Sequence, residues 1–273
     1  LLKDRMGNIW MGNNGKGVLL IPNKSSQFQY IGYKSLTNNI IGSNSVQAVC
    51  KDYEGTVWLG TANDGIYSIN KAGASHHFTP KDGDSSIPLY ISGIYEDSNH
   101  TLWLYSQVSG LLKMDKRTGH CTSVVLTYKG DEIKAVTAIA EDKYKRLWIG
   151  IMGGGVSFID LRTGKVTACR TIKNGHSYSP QTDALHNRWV STLCCTSNDK
   201  LYIGSYDGLG CMDLKTMCFT STFKKNRLFP GDIIYTICEG AKGHIWIGTA
   251  NGLIHLNEKT IKSYTYTMAD GLP

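Results

Sequence analysis

Two groups of side chains have the types and spacing to hold a hydroxyl-rich ligand. The first is a series of short polar turns that recur along the chain: Asn13-Asn14, Asn63-Asp64, Gln107, Met152-Gly153, Tyr206-Asp207 and Asn251. Their carboxylates and amides offer the donors and acceptors that sugar hydroxyls pair with. Asn and Asp are also what tight turns select for their own backbone geometry, so turn chemistry competes with binding at each position. The second group lies in the segment 174–189, where Tyr178, His186, Arg188 and Trp189 combine stacking surface with hydrogen-bonding heads. Long loops in compact domains are frequently functional, but such a loop can equally cover a sheet edge or contact a neighbouring domain. The residues expected to touch ligand are Asn63, Asp64, Tyr178, His186, Arg188, Trp189, Tyr206, Asp207 and Asn251.

Catalytic and metal chemistry have little support. The sequence contains neither a Gly-x-Ser-x-Gly elbow nor a His-Glu-x-x-His helix. Asp52, Glu96-Asp97 and Glu141-Asp142 recur in one kind of turn, where repetition argues for a structural role. The adjacent His76-His77 is expected to bind no metal, and no cofactor is expected. Eight cysteines fit neither CxxC pairs nor zinc spacing. Cys211 and Cys218 read as facing positions of a hairpin; a disulfide there competes with two thiols, since cross-strand geometry must meet narrow limits.

The elements that position these residues are set by a repeat. An aromatic flanked by aliphatics stands at 10, 58, 103, 148, 202 and 246, as in Gly243-His244-Ile245-Trp246-Ile247-Gly248-Thr249, at steps of 48, 45, 45, 54 and 44. A period near 45 residues marks a repeat architecture. In the second repeat, 45–51 reads as a first strand and 56–61 as a second strand apolar on both faces, hence buried on both. Residues 66–70 read as a third strand and 75–79 as a weaker fourth. Glycine-containing turns join them.

Four antiparallel strands per repeat are the blades of a β-propeller. The fold expected is therefore all-β, with six blades over roughly 1–35, 36–80, 81–128, 129–172, 186–226 and 227–269, and an insertion at 173–187. The middle of each first strand is small, Ala48, Gly93, Ala138, Thr192 and Thr236, as a narrow axis requires. Trp58, Trp103, Trp148 and Trp246 are expected to fill the wedges between blades. The chain opens at Asp4-Arg5-Met6-Gly7, the turn after a first strand, so the first blade is expected to lack its innermost strand. It stops at Asp270-Gly271-Leu272-Pro273, where a new first strand should begin, and it starts at Leu1 without a signal peptide. These joints are expected of a piece of a larger, seven-bladed or double propeller.

Composition agrees with strands and turns: 30 Gly, 6 Pro, 15 Tyr and 6 Trp in 273 residues. The charge of +7 is scattered, and its densest cluster, Lys224-Lys225-Asn226-Arg227, is too short for a nucleic-acid groove. No apolar run approaches the length a membrane helix needs.

The pattern in Asp52-Tyr53-Glu54-Gly55-Thr56-Val57-Trp58-Leu59-Gly60-Thr61-Ala62-Asn63-Asp64-Gly65-Ile66 closely resembles the two-component-regulator propeller repeat. Tyr202 in place of Trp, Tyr105 in place of Gly, and the shifted acid at Glu239-Gly240 depart from it. The resemblance implies the periplasmic sensor of a hybrid histidine kinase from a glycan-degrading gut bacterium. It implies an oligosaccharide ligand, a homodimeric full receptor, further propeller blades and an immunoglobulin-like domain. It also implies a membrane span, kinase and response regulator that this stretch does not contain. The alternatives are an enzyme resembling streptogramin-type lyases, favoured by clustered His and Glu on the axial face, and a protein-interaction scaffold, favoured by a broad apolar patch there.

Overall fold

A computed structural model describes residues 2–3, 9–13, 17–21, 41–42, 45–80, 86–128, 131–167, 189–223 and 233–272. The chain divides into two compact units, Leu1–Asn44 and Ser45–Pro273. In the first, β1 (Leu2–Lys3), β2 (Ile9–Asn13) and β3 (Gly17–Ile21) form a three-stranded antiparallel sheet. The second holds five four-stranded antiparallel sheets, each strand paired with the next in sequence. Blade two is β4 (Val46–Lys51), β5 (Val57–Thr61), β6 (Ile66–Ile69) and β7 (Ser75–Phe78); blade three is β8 (Gly93–Glu96), β9 (Leu102–Ser106), β10 (Gly110–Met114) and β11 (Cys121–Val124). A two-stranded hairpin follows, β12 (Leu126–Tyr128) and β13 (Asp131–Ile133), which has no counterpart among the described residues of the other blades. Blade four is β14 (Val136–Glu141), β15 (Arg146–Ile151), β16 (Gly155–Asp160) and β17 (Val166–Thr167). Blade five is β18 (Val190–Cys195), β19 (Lys200–Ser205), β20 (Gly208–Asp213) and β21 (Cys218–Phe223). Blade six is β22 (Ile234–Glu239), β23 (His244–Thr249), β24 (Gly252–Asn257) and β25 (Lys262–Tyr266). The only helical element among the described residues is a 3-10 turn, Met268–Asp270.

The first blade corrects an expectation. Its innermost strand is present as a stub: Leu2 pairs with Trp10 and Lys3 with Ile9, the register that Cys50 and Lys51 keep with Trp58 and Val57 in blade two.

Within the second unit the first strands of successive blades lie against one another, β4 on β8, β8 on β14, β14 on β18 and β18 on β22. They line the inner edge while later strands run outward. Each seam follows one rule. The aromatic of one blade packs on aliphatic side chains of the next: Trp58 on Ile91, Ile94, Leu102 and Leu104, and Trp103 on Val136, Ile139, Leu147 and Ile149. Trp148 packs with Val190, Leu193, Leu201 and Ile203, and Tyr202 with Ile234, Ile237, Ile245 and Ile247. All four aromatics are buried. Trp246, expected to be buried as well, is only half-buried. Its ring meets its own sheet, His255 at 4.5 Å and Tyr266 at 5.9 Å, and no aliphatic blade face among the described residues covers it.

The small first-strand residues have a sharper reason than a narrow axis. Ala48, Ala138, Thr192 and Thr236 each oppose a glycine, Gly60, Gly150, Gly204 and Gly248. The hollow over three of these pairs receives the next blade: a Cβ on Gly60 would stand 2.6 Å from Ile91, one on Gly150 2.7 Å from Val190, and one on Gly204 2.8 Å from Ile234.

The recurrent acids close the other end of each blade. Asp52, Asp97 and Asp142 accept the indole N–H of Trp58, Trp103 and Trp148 at 2.9, 2.8 and 2.8 Å, and the backbone N–H four residues on at 2.8, 2.9 and 3.1 Å. Glu96, Glu141 and Glu239 reach back to the preceding blade, accepting the backbone N–H of Tyr53, Ser98 and Ser197 at 2.6, 2.7 and 2.8 Å. Burial raises the pKa of Asp52, but the Trp58, Thr56 and Lys116 bonds outweigh it and hold the carboxyl below its ordinary value. Glu239 is likewise lowered on balance: burial raises it, and the Ser197, Gly243 and Lys242 interactions prevail. A folded pKa below the unfolded one stabilises above the unfolded value and is lost as pH falls through the folded one. Urea midpoints should therefore be flat above about pH 5 and decline below about pH 4. Asp52→Asn should be less stable at neutral pH and show a shallower acid decline; an identical acid limb would show that Asp52 contributes nothing to it.

The two hairpin cysteines do not face each other. The register sets Cys211 opposite Ser221 and Cys218 opposite Asp213, with a bulge between Cys211 and Met212, so no disulfide joins them.

Candidate functional site

The turns between second and third strands share one end of the second unit with the residue that leads into each first strand. In four blades these two segments are bonded together. Ser45, Ala135, Trp189 and Ile233 accept at their carbonyls the backbone N–H of Ala62, Met152, Tyr206 and Ala250, at 3.0, 2.9, 3.2 and 3.2 Å. Lead-in and turn thus form one rim per blade. The turns are held from within by a hydroxyl at the end of the second strand. Thr61, Ser205 and Thr249 donate to the carbonyls of Gly65, Gly208 and Gly252 at 2.9, 2.9 and 3.0 Å. The same hydroxyls accept the N–H of Asp64, Asp207 and Asn251 at 2.9, 3.2 and 3.2 Å.

The rim bond at blade five brings two of the expected residues together. The Trp189 and Tyr206 rings meet edge to face, centroids 5.7 Å apart at 80°, and are 50% and 40% exposed. Two faces at right angles make an open corner with Asp207, also exposed, beside it. An amphipathic ring can lie against the apolar face of a ligand while its polar edge bonds outward.

The remaining expected residues separate. Asn63 and Asn251 are exposed at the turns of blades two and six. Asp64 is drawn into its own blade: its carboxylate accepts the Tyr67 hydroxyl, its carbonyl lies 2.6 Å from His77 Nε2, and Oδ1 lies 3.5 Å from the same nitrogen. His77 stacks on Tyr67 at 3.9 Å and 4°. Asp64 therefore fixes a turn at the rim. Tyr178, His186 and Arg188 lie outside the described residues, as does all of the insertion at 173–187.

Two exposed aromatics in the lead-in and first-strand positions were not foreseen. Tyr90 is 36% exposed and Tyr235 59% exposed. They stand thirteen and eleven residues before their repeat aromatics. At the same offsets other blades carry Ser45 and Ala135, or Gln47, Thr137 and Ser191. The signal was in the register: a ring where Ser45 and Ala135, or Gln47, Thr137 and Ser191, stand in other copies.

Burial pushes the Cys194 thiol up to about 11 and raises Cys195 as well. Among the described residues no three His, Cys, Asp or Glu side chains gather in a metal-holding group. No helix among them is long and apolar enough to cross a membrane.

The family model of the two component regulator propeller matches residues 40–63 and 228–251. Among curated proteins there is no match. All of the chain superposes on the extracellular domain of a hybrid two component system from B. thetaiotaomicron, with a TM-score of 0.81 at 23% identity, spanning 34% of that chain. For a second such domain from the same organism the TM-score is 0.72 at 19% identity, over 97% of this chain and 36% of that one. Virginiamycin B lyase from Staphylococcus aureus gives 0.62 at 14% identity, over 82% of this chain and 70% of the enzyme. The chain thus spans about a third of the two B. thetaiotaomicron domains, and at these identities the likeness is one of fold. The two segments that match the two component regulator propeller model fall in blades two and six, and the blades between them keep a similar turn and aromatic register.

Proposed function

We propose that this chain is the extracytoplasmic, non-catalytic sensing part of a hybrid two-component sensor histidine kinase. Its ligand is an oligosaccharide released from a glycan, and binding regulates carbohydrate-utilisation genes. The repeat family and the fold support a sensor. The observation that carries the ligand class is the exposed Trp189–Tyr206 corner with Asp207 beside it. Stacking surface next to a carboxylate suits a ring with one apolar face and equatorial hydroxyls. The rest of the sensor, with further blades, an immunoglobulin-like domain and a periplasmic placement above the inner membrane, is part of the same proposal, as is a homodimeric receptor.

Calorimetric titration of the 273-residue chain with a panel of glycan oligosaccharides tests it. At least one should bind, and Trp189→Ala should weaken that binding about tenfold, the loss typical of a central aromatic contact. Unaltered affinity in Trp189→Ala would remove the corner from the site. Turnover of a glycan or of a cyclic lactone by the pure chain would overturn the non-catalytic reading in favour of a lyase-like enzyme.

A further inference from the structure

The rim is uneven, and its relief defines a binding track. Blade five rises as the Trp189–Tyr206 corner. On the other side of blade four, Tyr90 occupies in blade three the repeat position that Trp189 occupies in blade five, thirteen residues before the aromatic. Beside it Leu89 is 48% exposed and, on the neighbouring turn, Val108 is 69% exposed. Among the described residues, blade four between them carries no aromatic ring at these rim positions: its lead-in residue is Ala135, and its turn carries the half-buried Met152 and Gly153, around which a Cβ would meet nothing within 4 Å. The hairpin of β12 and β13 enters directly before Ala135, with the Lys134 backbone close to Gly110 at the end of the blade-three turn. Two aromatic walls thus flank a floor of Ala135, Met152 and Gly153.

Packing within the fold does not require those walls. The offset filled by Tyr90 and Trp189 holds Ser45, Ala135 and Ile233 in blades two, four and six, and Ser45 and Ala135 make the rim bond that Trp189 makes. A large exposed ring at a position where a small residue serves the fold is surplus to the blade and available to a ligand.

We infer that Tyr90 is a second stacking platform, and that the ligand is an extended oligosaccharide lying across blade four from Trp189 to Tyr90 and bound by several consecutive sugar residues rather than by a terminal unit. The inference rests on the carbohydrate reading of the Trp189 corner. A short sugar fills only the corner; a longer one reaches Tyr90, so affinity rises with length until both walls are engaged. Raising the floor blocks the long ligand without touching either wall.

The test titrates the 273-residue chain with size-fractionated oligosaccharides of increasing length prepared from xylan, mannan, starch and pectin. Tyr90→Ala should leave the affinity for the shortest binder unchanged and lower that for the longest about tenfold. Ala135→Trp should abolish the length dependence while its thermal transition stays that of the parent. Tyr90→Phe should retain affinity, since the ring face is kept. Equal affinity of Tyr90→Ala and parent at every length, with Trp189→Ala still impaired, would overturn the track and leave the corner intact. Absence of binding to any fraction by the parent would overturn the carbohydrate reading and the track with it. A drop in stability of Tyr90→Ala without a length-dependent loss would show that the ring serves packing.

Discussion

Gly93→Ala should destabilise the protein by about 2–3 kcal/mol, within the range for overpacking a filled interior. Gly93 opposes Tyr105 across β8 and β9, where other blades place a small residue opposite glycine. Blade three has exchanged the two sizes: the bulk is on the second strand and the vacancy on the first. A Cβ on Gly93 would land within the Tyr105 ring, at Cζ and the hydroxyl. The ring would have to leave its seat, where burial has raised its pKa to about 12. Gly93 has no left-handed backbone angle, so the penalty is steric. Tyr105→Gly alone should cost about 3–5 kcal/mol through the cavity it leaves. The double variant, Gly93→Ala with Tyr105→Gly, recreates the Ala48–Gly60 arrangement of blade two and should recover a large part of both losses. Urea denaturation of the four proteins gives the coupling. Additive losses would show that the two sites do not share one volume.

That exchange was visible in the sequence as two separate oddities, a glycine among alanines and threonines and a tyrosine where glycine recurs. What could not be read was that they oppose each other, because pairing register is a property of the sheet. The blades themselves were legible because a repeated period fixes strand, turn and wedge together. Features that break the period were not. The β12–β13 hairpin has no second copy among the described residues, and the half-burial of Trp246 depends on its neighbours in space rather than on its own repeat. Cys211 and Cys218 looked opposed, but the hairpin closes on the Asp213–Cys218 pair, so Cys211 lies two residues further along its strand, where a bulge sets it opposite Ser221. Around the candidate site, Trp189 was chosen from a polar insertion and Tyr206 from a recurring turn. Their contact follows from a rim bond spanning seventeen residues in four blades, Ser45 to Ala62, Ala135 to Met152, Trp189 to Tyr206 and Ile233 to Ala250. The bond uses backbone atoms only, so residue types do not announce it. Asp64 shows the converse: a residue chosen for its carboxylate spends that carboxylate on Tyr67 and His77.

Asp97→Ala should be among the most damaging single changes in the chain, at about 3–5 kcal/mol. Asp97 is 3% exposed and accepts three donors: the Trp103 indole at 2.8 Å and the backbone N–H of Asn99 and Thr101, both at 2.9 Å. Alanine would leave all three buried or half-buried donors without that acceptor, and each such loss costs about 1–3 kcal/mol, partly relieved where water can enter. The same site couples two blades, since Trp103 packs on Val136, Ile139, Leu147 and Ile149 of blade four. A loosened indole therefore weakens the seam as well as the turn. Blades five and six indicate which replacements the fold tolerates. In blade five Thr196 replaces the acid where Tyr202 replaces tryptophan, and in blade six Gly240 lies so close to Trp246 that a Cβ would stand 2.9 Å from its Nε1. Acid and indole change together in blade five, whereas blade six keeps the indole without the acid. Trp103→Phe should consequently cost less in an Asp97→Ala background than in the parent, because the indole N–H has already lost its acceptor. Chemical denaturation of both single variants and the double measures this. A full, additive penalty for Trp103→Phe would show that the tryptophan acts through volume alone and that the carboxylate serves only the turn.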